Sequence, residues 1–221
     1  MITTKDERYS RQQDIVPPER ITACKATVIG VGAIGRQVAL QLTAIGIPWL
    51  QLVDHETVEI SNLASQGYME SDMGKLKVNA TLELCRMINA TCEIHIVPER
   101  FRRSMEIGNI VFCAVDRIDV RRLIWETVED KVSFFTDGRM SAEVLRILSA
   151  CDGESRKHYP TTLFRPDEAF VGPCTAKTTI YSANIAAGLM VAQFTKYLRQ
   201  LPMDYDIQLN LLASELSVGV C

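Results

Sequence analysis

Residues 26–45 read ATVIGVGAIGRQVALQLTAI, and this stretch decides the fold. A short run of β-branched residues ends at Gly30, and from Gly35 onward the apolar residues recur at helical spacing. The pattern predicts a strand, a glycine turn and a helix. The next strand is predicted at residues 49–53, WLQLV, with Asp54 directly after it. Together these elements make a βαβ unit, which places two parallel strands in one sheet.

The alternation of strand and helix patterns continues along the rest of the chain. Helices are predicted at 75–90, 119–128 and 178–200, and strands at 92–97, 109–115, 132–135, 142–150 and 206–212. The strand at 142–150 is expected to run antiparallel to its neighbour. Repeated alternation of this kind predicts an α/β fold, with a Rossmann-like, mostly parallel sheet, helices on both faces and an antiparallel extension.

Length and composition favour one globular domain. The chain has 221 residues, of which 47% are hydrophobic and 23% are charged, so disordered and fibrous classes are excluded. We assign residues 1–221 to a single domain, with residues 1–25 as an N-terminal helical arm. Residues 151–177 show no sustained periodicity, and they are interpreted as a long crossover loop.

Charge and cysteine content restrict the partners and the compartment. The 24 basic and 27 acidic residues leave a net charge of -3, which provides no general field for nucleic acid or an anionic membrane. The seven cysteines are scattered and never occur as Cys-x-x-Cys, which argues against a disulfide framework and a compact zinc site. No signal segment or membrane-spanning stretch is found. We therefore expect a cytoplasmic protein.

The glycine turn has the spacing of a nucleotide-binding fingerprint. Gly30 permits the tight turn, Gly32 lets a phosphate approach the backbone, and Gly35 allows close packing. The N-terminus of the following helix offers unpaired N–H groups and a positive dipole to a phosphate. Asp54 lies 22 positions after Gly32, where its carboxylate can accept hydrogen bonds from ribose hydroxyls. On this fingerprint alone, NAD is the default ligand.

Further short motifs surround this turn in a fixed order. They are Arg8-Tyr-Ser-Arg11-Gln12 upstream, and Ser61-Asn62-Leu63, Gly74-Lys-Leu-Lys77 and Asp116 with Arg121 downstream. Each motif is weak alone, but their order and spacing are specific. Together with the glycine turn, the set resembles the ubiquitin-activating-enzyme-like ThiF/MoeB/HesA family of adenylyltransferases over residues 8–148.

The resemblance implies an ATP-dependent reaction. Members of this family adenylate the C-terminal glycine carboxylate of a ubiquitin-like or sulfur-carrier protein and release pyrophosphate. By the match, Asp54 holds the ribose and the glycine turn contacts the phosphates. Asn62 and Lys77 approach the triphosphate, and Asp116 binds the Mg²⁺ that helps pyrophosphate leave. Arg11 matches an arginine that relatives insert into the neighbouring subunit's site, which implies a homodimer.

The chain departs from the family pattern at two places. Relatives commonly read Ser-Asn-Leu-x-Arg-Gln, whereas this chain reads Ser61-Asn-Leu-Ala-Ser65-Gln66, so a serine replaces the arginine expected at the phosphates. Arg139 or a partner chain is a candidate source of the missing charge. Many relatives also carry two Cys-x-x-Cys pairs that bind zinc. None is present here, so no structural zinc is expected.

Cys174 is the candidate for a second chemical step. The run Gly172-Pro-Cys174-Thr175 resembles the surroundings of the thioester-forming cysteine in ubiquitin-activating enzymes, although their usual pattern has one residue between proline and cysteine. At the start of a helix, a cysteine thiolate is stabilised by the dipole, as a nucleophile requires. The alternative is a buried structural cysteine.

Three functional hypotheses follow. The first is adenylation of a carrier protein, with a possible thioester on Cys174. The absent zinc cysteines and the Pro-Cys-Thr run favour conjugation, with a conjugating enzyme as partner, over sulfur transfer. The second is a non-catalytic partner subunit of an active enzyme, and Ser65 motivates it. The third is an NAD-linked oxidoreductase, which the glycine turn and Asp54 permit.

Overall fold

A computed structural model describes residues 4–164 and 177–219. Its eight strands form one sheet in the order β3-β2-β1-β4-β5-β6-β7-β8. The strands are β1 (Lys25–Ile29), β2 (Trp49–Val53), β3 (Glu93–Val97), β4 (Ile110–Cys113), β5 (Phe134–Ser141), β6 (Val144–Ala150), β7 (Asp206–Asn210) and β8 (Glu215–Val218). The first five strands are parallel, and the last three extend the sheet in antiparallel pairs.

Helices cover both faces of the sheet. They are α1 (Thr4–Tyr9), α2 (Pro18–Ile21), α3 (Ala33–Ile45), α4 (Ile60–Gln66), α5 (Lys77–Ile88), α6 (Ile118–Val128), α7 (Gly153–Thr161) and α8 (Ile180–Leu198). One apolar core lies between the sheet and α3, α5 and α8. The second core lies on the opposite face, beneath α6 and α7. Within the described ranges, no helix has the length and apolar character needed to cross a bilayer.

The sheet has a switch point beside β1. The chain passes from β1 outward to β2 and β3, and then returns to the other side of β1 as β4. Ile29 at the end of β1 is in register with Val53 of β2 and Cys113 of β4, so these strands end at one level. Ligands of open α/β sheets bind at the carboxyl ends of strands next to such a point. The glycine turn and Asp54 lie at this edge.

The predicted α/β architecture is confirmed, including the antiparallel strand within residues 142–150. Three elements differ from expectation, because α4, α7 and β8 were not predicted. Residues 151–177 were expected to be irregular throughout, but α7 occupies 153–161. Its N-terminus is capped by Asp152, whose Oδ1 accepts from the N–H of Ser155 at 2.9 Å. Within α7 only Ser155 and Tyr159 are buried, so the helix leaves almost no apolar periodicity in the sequence.

Candidate functional site

The glycine turn between β1 and α3 is shaped by close backbone contacts. Gly30 has φ +85°, and a Cβ there would lie 2.8 Å from the carbonyl oxygen of Ala114. A Cβ on Gly35 would lie 1.8 Å from the carbonyl oxygen of Gly30. At Gly32, which caps α3, the nearest atom to such a Cβ is Gln66 Oε1 at 3.8 Å. The first and third glycines are therefore required by the fold, and the second leaves open space above the turn.

Asp54 fastens the end of β2 to this turn. One carboxylate oxygen accepts from the N–H of Val31 at 2.7 Å, and the other accepts from the N–H of Glu56 at 2.8 Å. The side chain is almost fully buried. Each carboxylate oxygen can accept more than one hydrogen bond, so both retain capacity for a further donor such as a hydroxyl. The structure thus places Asp54 next to the glycine turn, as the spacing in the sequence predicts.

Lys77 and Lys75 occupy different environments although they are two residues apart. Lys77 begins α5, is only 4% exposed, and donates from Nζ to Glu56 Oε2 at 2.6 Å. This hydrogen bond holds the pKa of Glu56 below its usual range. Lys75 is more exposed and pairs with the buried Asp72 and the exposed Glu83. This ion pair between the buried Lys77 and the exposed Glu56 brings Lys77 to the end of β2, close to Asp54.

Asn62 and Ser65 both lie on α4 and make local contacts. Asn62 Oδ1 accepts from the N–H of Glu59 at 3.0 Å, which caps the helix. Ser65 donates from Oγ to the carbonyl oxygen of Ser61 at 2.9 Å, so its hydroxyl serves its own helix. The next residue, Gln66, has a buried Oε1 with no hydrogen-bond partner in the described part of the chain. This polar atom lies beside Gly32.

Asp116 follows β4 at the same edge of the sheet. It is exposed, and it makes no ion pair with any residue in 4–164 or 177–219; Arg117 beside it pairs with Asp119 instead. Ala114, two residues earlier, donates its N–H to the carbonyl oxygen of Ile29. The loop after β4 therefore runs alongside the glycine turn, and it presents a carboxylate at the rim of the site.

The structure adds a buried ionic cluster that the sequence analysis missed. Asp137 in β5 is completely buried; it pairs with Arg121, accepts from Arg139 Nε at 2.8 Å and accepts from the hydroxyl of Tyr159 at 2.9 Å. Burial lowers the pKa of Arg121. Arg139 also donates to the carbonyl oxygen and the hydroxyl of Thr162. Arg139, a candidate source of the missing charge, is thus held in other contacts.

Tyr68 and Arg36 lie directly beneath the turn and were also missed. The hydroxyl of Tyr68 donates to the carbonyl oxygen of Val31 at 2.6 Å, and burial raises the pKa of this hydroxyl. The guanidinium of Arg36 contacts the tyrosine ring, 4.1 Å from its centroid. The available signal was an arginine directly after Gly35, on a helix whose neighbouring positions are mainly apolar.

Arg11 lies at the far end of α3 from the glycine turn. Its neighbour Gln12 donates to the carbonyl oxygen of Ile45 at the end of α3, and Tyr9 accepts from Asn89 just beyond α5. The turn lies at the start of α3, and a helix of 13 residues is about 20 Å long. Arg11 is exposed and too far away to reach the turn of its own chain.

Cys174 lies outside the described residues. Of the other cysteines, Cys24, Cys85, Cys92 and Cys113 are buried, and Cys151 is half-buried. Burial raises the pKa of the thiol of all five, to about 11 in Cys24 and Cys151 and to about 12 in Cys92. These five thiols are therefore poor nucleophiles near neutral pH.

The sequence matches a family model and several curated proteins. The model described as the ThiF family matches residues 9–215. The chain is 36% identical over 129 residues to the adenylyltransferase and sulfurtransferase MOCS3 of Dictyostelium discoideum, which covers 53% of this chain and 30% of that protein. It is 28% identical over 149 residues to the NEDD8-activating enzyme E1 catalytic subunit of Caenorhabditis elegans, and this aligned region covers 62% of this chain and 34% of that protein. The chain spans about a third of the length of these relatives.

Solved structures share the fold. PaaA superposes with a TM-score of 0.80 at 20% identity, covering 99% of this chain and 74% of that one. MccB of E. coli, crystallised with ATP, superposes with a TM-score of 0.76 at 17% identity, covering 96% and 71%. At such low identity the likeness is one of fold, and it extends over both the parallel and the antiparallel parts of the sheet.

Proposed function

This chain belongs to the ThiF family, as its ordered motifs predict, and we propose that it uses ATP to adenylate the C-terminal glycine carboxylate of a ubiquitin-like or sulfur-carrier protein. One observation carries the proposal. The glycine turn, the Asp54 carboxylate and the Lys77–Glu56 ion pair meet at the switch point of the sheet. Asp116 stands at the rim of the same edge. This is a set of groups suited to a nucleoside triphosphate and a divalent cation.

The residues present fit ATP as the substrate. The open space above Gly32 admits a phosphate, and the N-terminus of α3 directs its N–H groups and dipole to that space. Among the residues that the structure describes, the side-chain oxygen of Gln66 has no hydrogen-bond partner and faces the turn, and rotation of this amide by 180° would present an N–H donor to a phosphate. Asp54 is positioned to accept from the ribose, while Asn62 and Lys77 lie on the two elements that follow it.

The proposed reaction transfers the adenylyl group of ATP to the carrier. A carboxylate oxygen of the carrier attacks the α-phosphorus, the bond from that phosphorus to the bridging oxygen breaks, and pyrophosphate leaves with the electron pair. An acyl-adenylate remains. Lys77 offsets negative charge as it shifts among the phosphates, because a buried cation is effective where water is excluded. Mg²⁺ commonly binds one or two carboxylates together with substrate phosphates, so Asp116 is sufficient as its protein ligand.

Ser65 motivates the alternative function. Without the arginine that relatives place at the phosphates, a chain with this fold could bind partners or pair with an active subunit without catalysing the reaction itself. The purified chain distinguishes the two hypotheses, since only the first predicts turnover in the absence of another activating enzyme. An NAD-linked oxidoreductase is disfavoured by the family membership, and titration with NAD and ATP tests it directly.

ATP–pyrophosphate exchange tests the proposed function. The purified chain is expected to catalyse exchange only when a small ubiquitin-like protein ending in glycine is added. Replacing Asp116 with alanine is expected to lower the rate about 100-fold or more, because the metal loses its protein ligand. Asp119→Ala removes a neighbouring exposed carboxylate that pairs with Arg117, and it serves as the matched control. ATP binding without exchange for any such carrier would refute adenylation.

We propose that the N-terminal arm of one subunit completes the site of the other subunit in a homodimer. Since Arg11 is too distant from its own turn, it acts in the site of a second copy. Arg11→Ala and Lys77→Ala are each expected to be inactive, yet an equal mixture is expected to recover about a quarter of wild-type exchange, because half the dimers then hold one intact site. A mixture as inactive as its components, after subunit exchange is verified by mass spectrometry, would contradict this arrangement.

The sequence around Cys174 supports a second proposed step. Its thiolate would attack the acyl carbon of the adenylate, AMP would leave, and a thioester would pass the carrier to a conjugating enzyme. A carrier adduct sensitive to dithiothreitol is expected in the wild type and absent in Cys174→Ala. Cys151→Ala is the matched control, because the pKa of that thiol is raised to about 11. An adduct that survives Cys174→Ala would make this cysteine structural.

A further inference from the structure

Arg36 is a buried cation that has no carboxylate partner in the part of the chain that the structure describes. Its side chain is 1% exposed, and no acidic group in residues 4–164 or 177–219 lies within ion-pair distance of it. Its polar contact is Nη1 to Thr81 Oγ1 at 3.4 Å, and Nε is buried without a partner in the described chain. Burying an unpaired guanidinium costs several kcal/mol. A buried charge with this energetic cost needs a functional explanation.

The position of Arg36 connects it to the glycine turn. Its own N–H donates to the carbonyl oxygen of Gly32 at 3.1 Å, one helical turn below the open space. Its guanidinium lies against the ring of Tyr68, whose hydroxyl donates to the carbonyl oxygen of Val31. The N–H of Val31 is held by Asp54. A single aromatic ring therefore separates a buried positive charge from the backbone that would face a phosphate.

The other buried cations near this edge are already paired. Lys77 is paired with Glu56, and Arg121 and Arg139 are both paired with Asp137. The Glu56 carboxylate offsets the charge of Lys77, whereas Arg121 and Arg139 share one carboxylate and keep one net positive charge on the face of the sheet that α6 and α7 cover. Ser65 contributes no charge. Arg36 differs from these cations because no carboxylate of the described residues neutralises it by direct contact.

We propose that Arg36 supplies, from beneath the glycine turn, the positive charge that makes this site prefer a triphosphate to a nucleoside, in place of the arginine that Ser65 replaces. The inference rests on the proposed function in taking ATP as the substrate. Arg36 does not touch the phosphates; it acts through space and through Tyr68 as a positioning residue. For scale, two unit charges about 8 Å apart in a medium with an effective dielectric constant of about 20 interact strongly enough to change an affinity about thirtyfold.

Calorimetric titration of the full chain with ATP and with adenosine, without a carrier, tests the inference. Arg36→Gln, which keeps a donor for Thr81 but loses the charge, is expected to weaken ATP binding about tenfold to a hundredfold and adenosine binding less than about threefold. Arg36→Lys retains the charge and is expected to keep the wild-type ratio of the two affinities. Arg86→Gln removes an exposed cation from α5 and serves as the control.

A purely structural role would move the two affinities together. Equal losses for ATP and adenosine in Arg36→Gln, or an unchanged ATP affinity, would overturn the inference. Equal wild-type affinities for the two ligands would overturn it as well. Because these titrations contain no carrier, failure of carrier-dependent exchange refutes the proposed function without affecting this result.

Introducing an arginine at position 65 tests the same inference without depending on the folding of Arg36→Gln. In the wild-type background, Ser65→Arg is expected to raise ATP affinity less than about threefold, because the site already has its cation. In the Arg36→Gln background, the same change is expected to restore most of the lost affinity. A rise of about tenfold or more in the wild-type background would show that the site lacks a cation, and it would overturn the inference.

Discussion

Lys77→Ala is expected to lower carrier-dependent ATP–pyrophosphate exchange about 1,000-fold, a loss typical of a cation that stabilises transferring phosphoryl groups. Two effects add in the same direction. The substitution removes a nearly buried ammonium from the site, and it leaves the Glu56 carboxylate without its partner at 2.6 Å. The site thus becomes more negative by a full unit while it must still receive a triphosphate and a second anion, the carrier carboxylate.

The neighbouring lysine provides the matched control for this prediction. Lys75→Ala removes a more exposed cation two residues away, which pairs with the buried Asp72 and the exposed Glu83, and it is expected to keep exchange within about twofold of wild type. Adenosine affinity, measured by calorimetry, is expected to stay near wild type in both variants, since the change acts on the phosphates. Exchange by Lys77→Ala at a tenth of the wild-type rate or more would contradict the assigned role.

Glu56→Gln separates the two effects. With Lys77 retained and the carboxylate neutralised, the site gains positive charge, and we expect ATP affinity to rise rather than fall. In the Lys77→Ala background, Glu56→Gln is expected to raise the exchange rate about tenfold above that of Lys77→Ala alone, because it removes the unpaired negative charge. If Glu56→Gln gave no recovery there, the loss in Lys77→Ala would be due to the missing ammonium alone.

The parallel part of the fold could be predicted because its determinants are local. The run of apolar residues before Gly30, the glycine spacing and the helical periodicity after Gly35 each act over a few residues. The antiparallel extension was predictable only in part, since β6 is apolar whereas every residue of β8 is exposed. Helix α7 escaped prediction because its stability depends on the Asp152 cap and two buried side chains, not on a periodic apolar face.

The candidate site was predictable where residues act through spacing along the chain, as for Asp54 after the glycine turn. It was not predictable where residues far apart in sequence meet in space. Glu56 and Lys77 are 21 positions apart, and Tyr68 is 37 positions from the Val31 carbonyl that it contacts. Family resemblance pointed to Lys77, but neither resemblance nor periodicity could show that its charge is already paired.

Asp137→Ala is expected to lower the free energy of unfolding by about 3–5 kcal/mol, the range measured when one partner of a buried ion pair is removed. Asp137 is completely buried and holds two arginines, and the side chains of Arg121 and Arg139 are 7% and 14% exposed. Without the carboxylate, two guanidinium groups and the Tyr159 hydroxyl lose a shared partner that water cannot replace. Since domains are typically stable by about 5–15 kcal/mol, this loss alone brings the fold near its limit.

Urea denaturation followed by circular dichroism measures this effect, and Asp119→Ala provides the comparison. Asp119 pairs with Arg117 on the surface, with both side chains about half exposed, so its removal is expected to cost less than about 1 kcal/mol. Asp137→Asn preserves the volume but not the charge, and it should resemble Asp137→Ala if the ion pairs matter most. A loss below about 1 kcal/mol in both Asp137 variants would mean that the arginines find other partners. In that case the ionic cluster would not stabilise the packing of β5 beside the loop that carries Asp116.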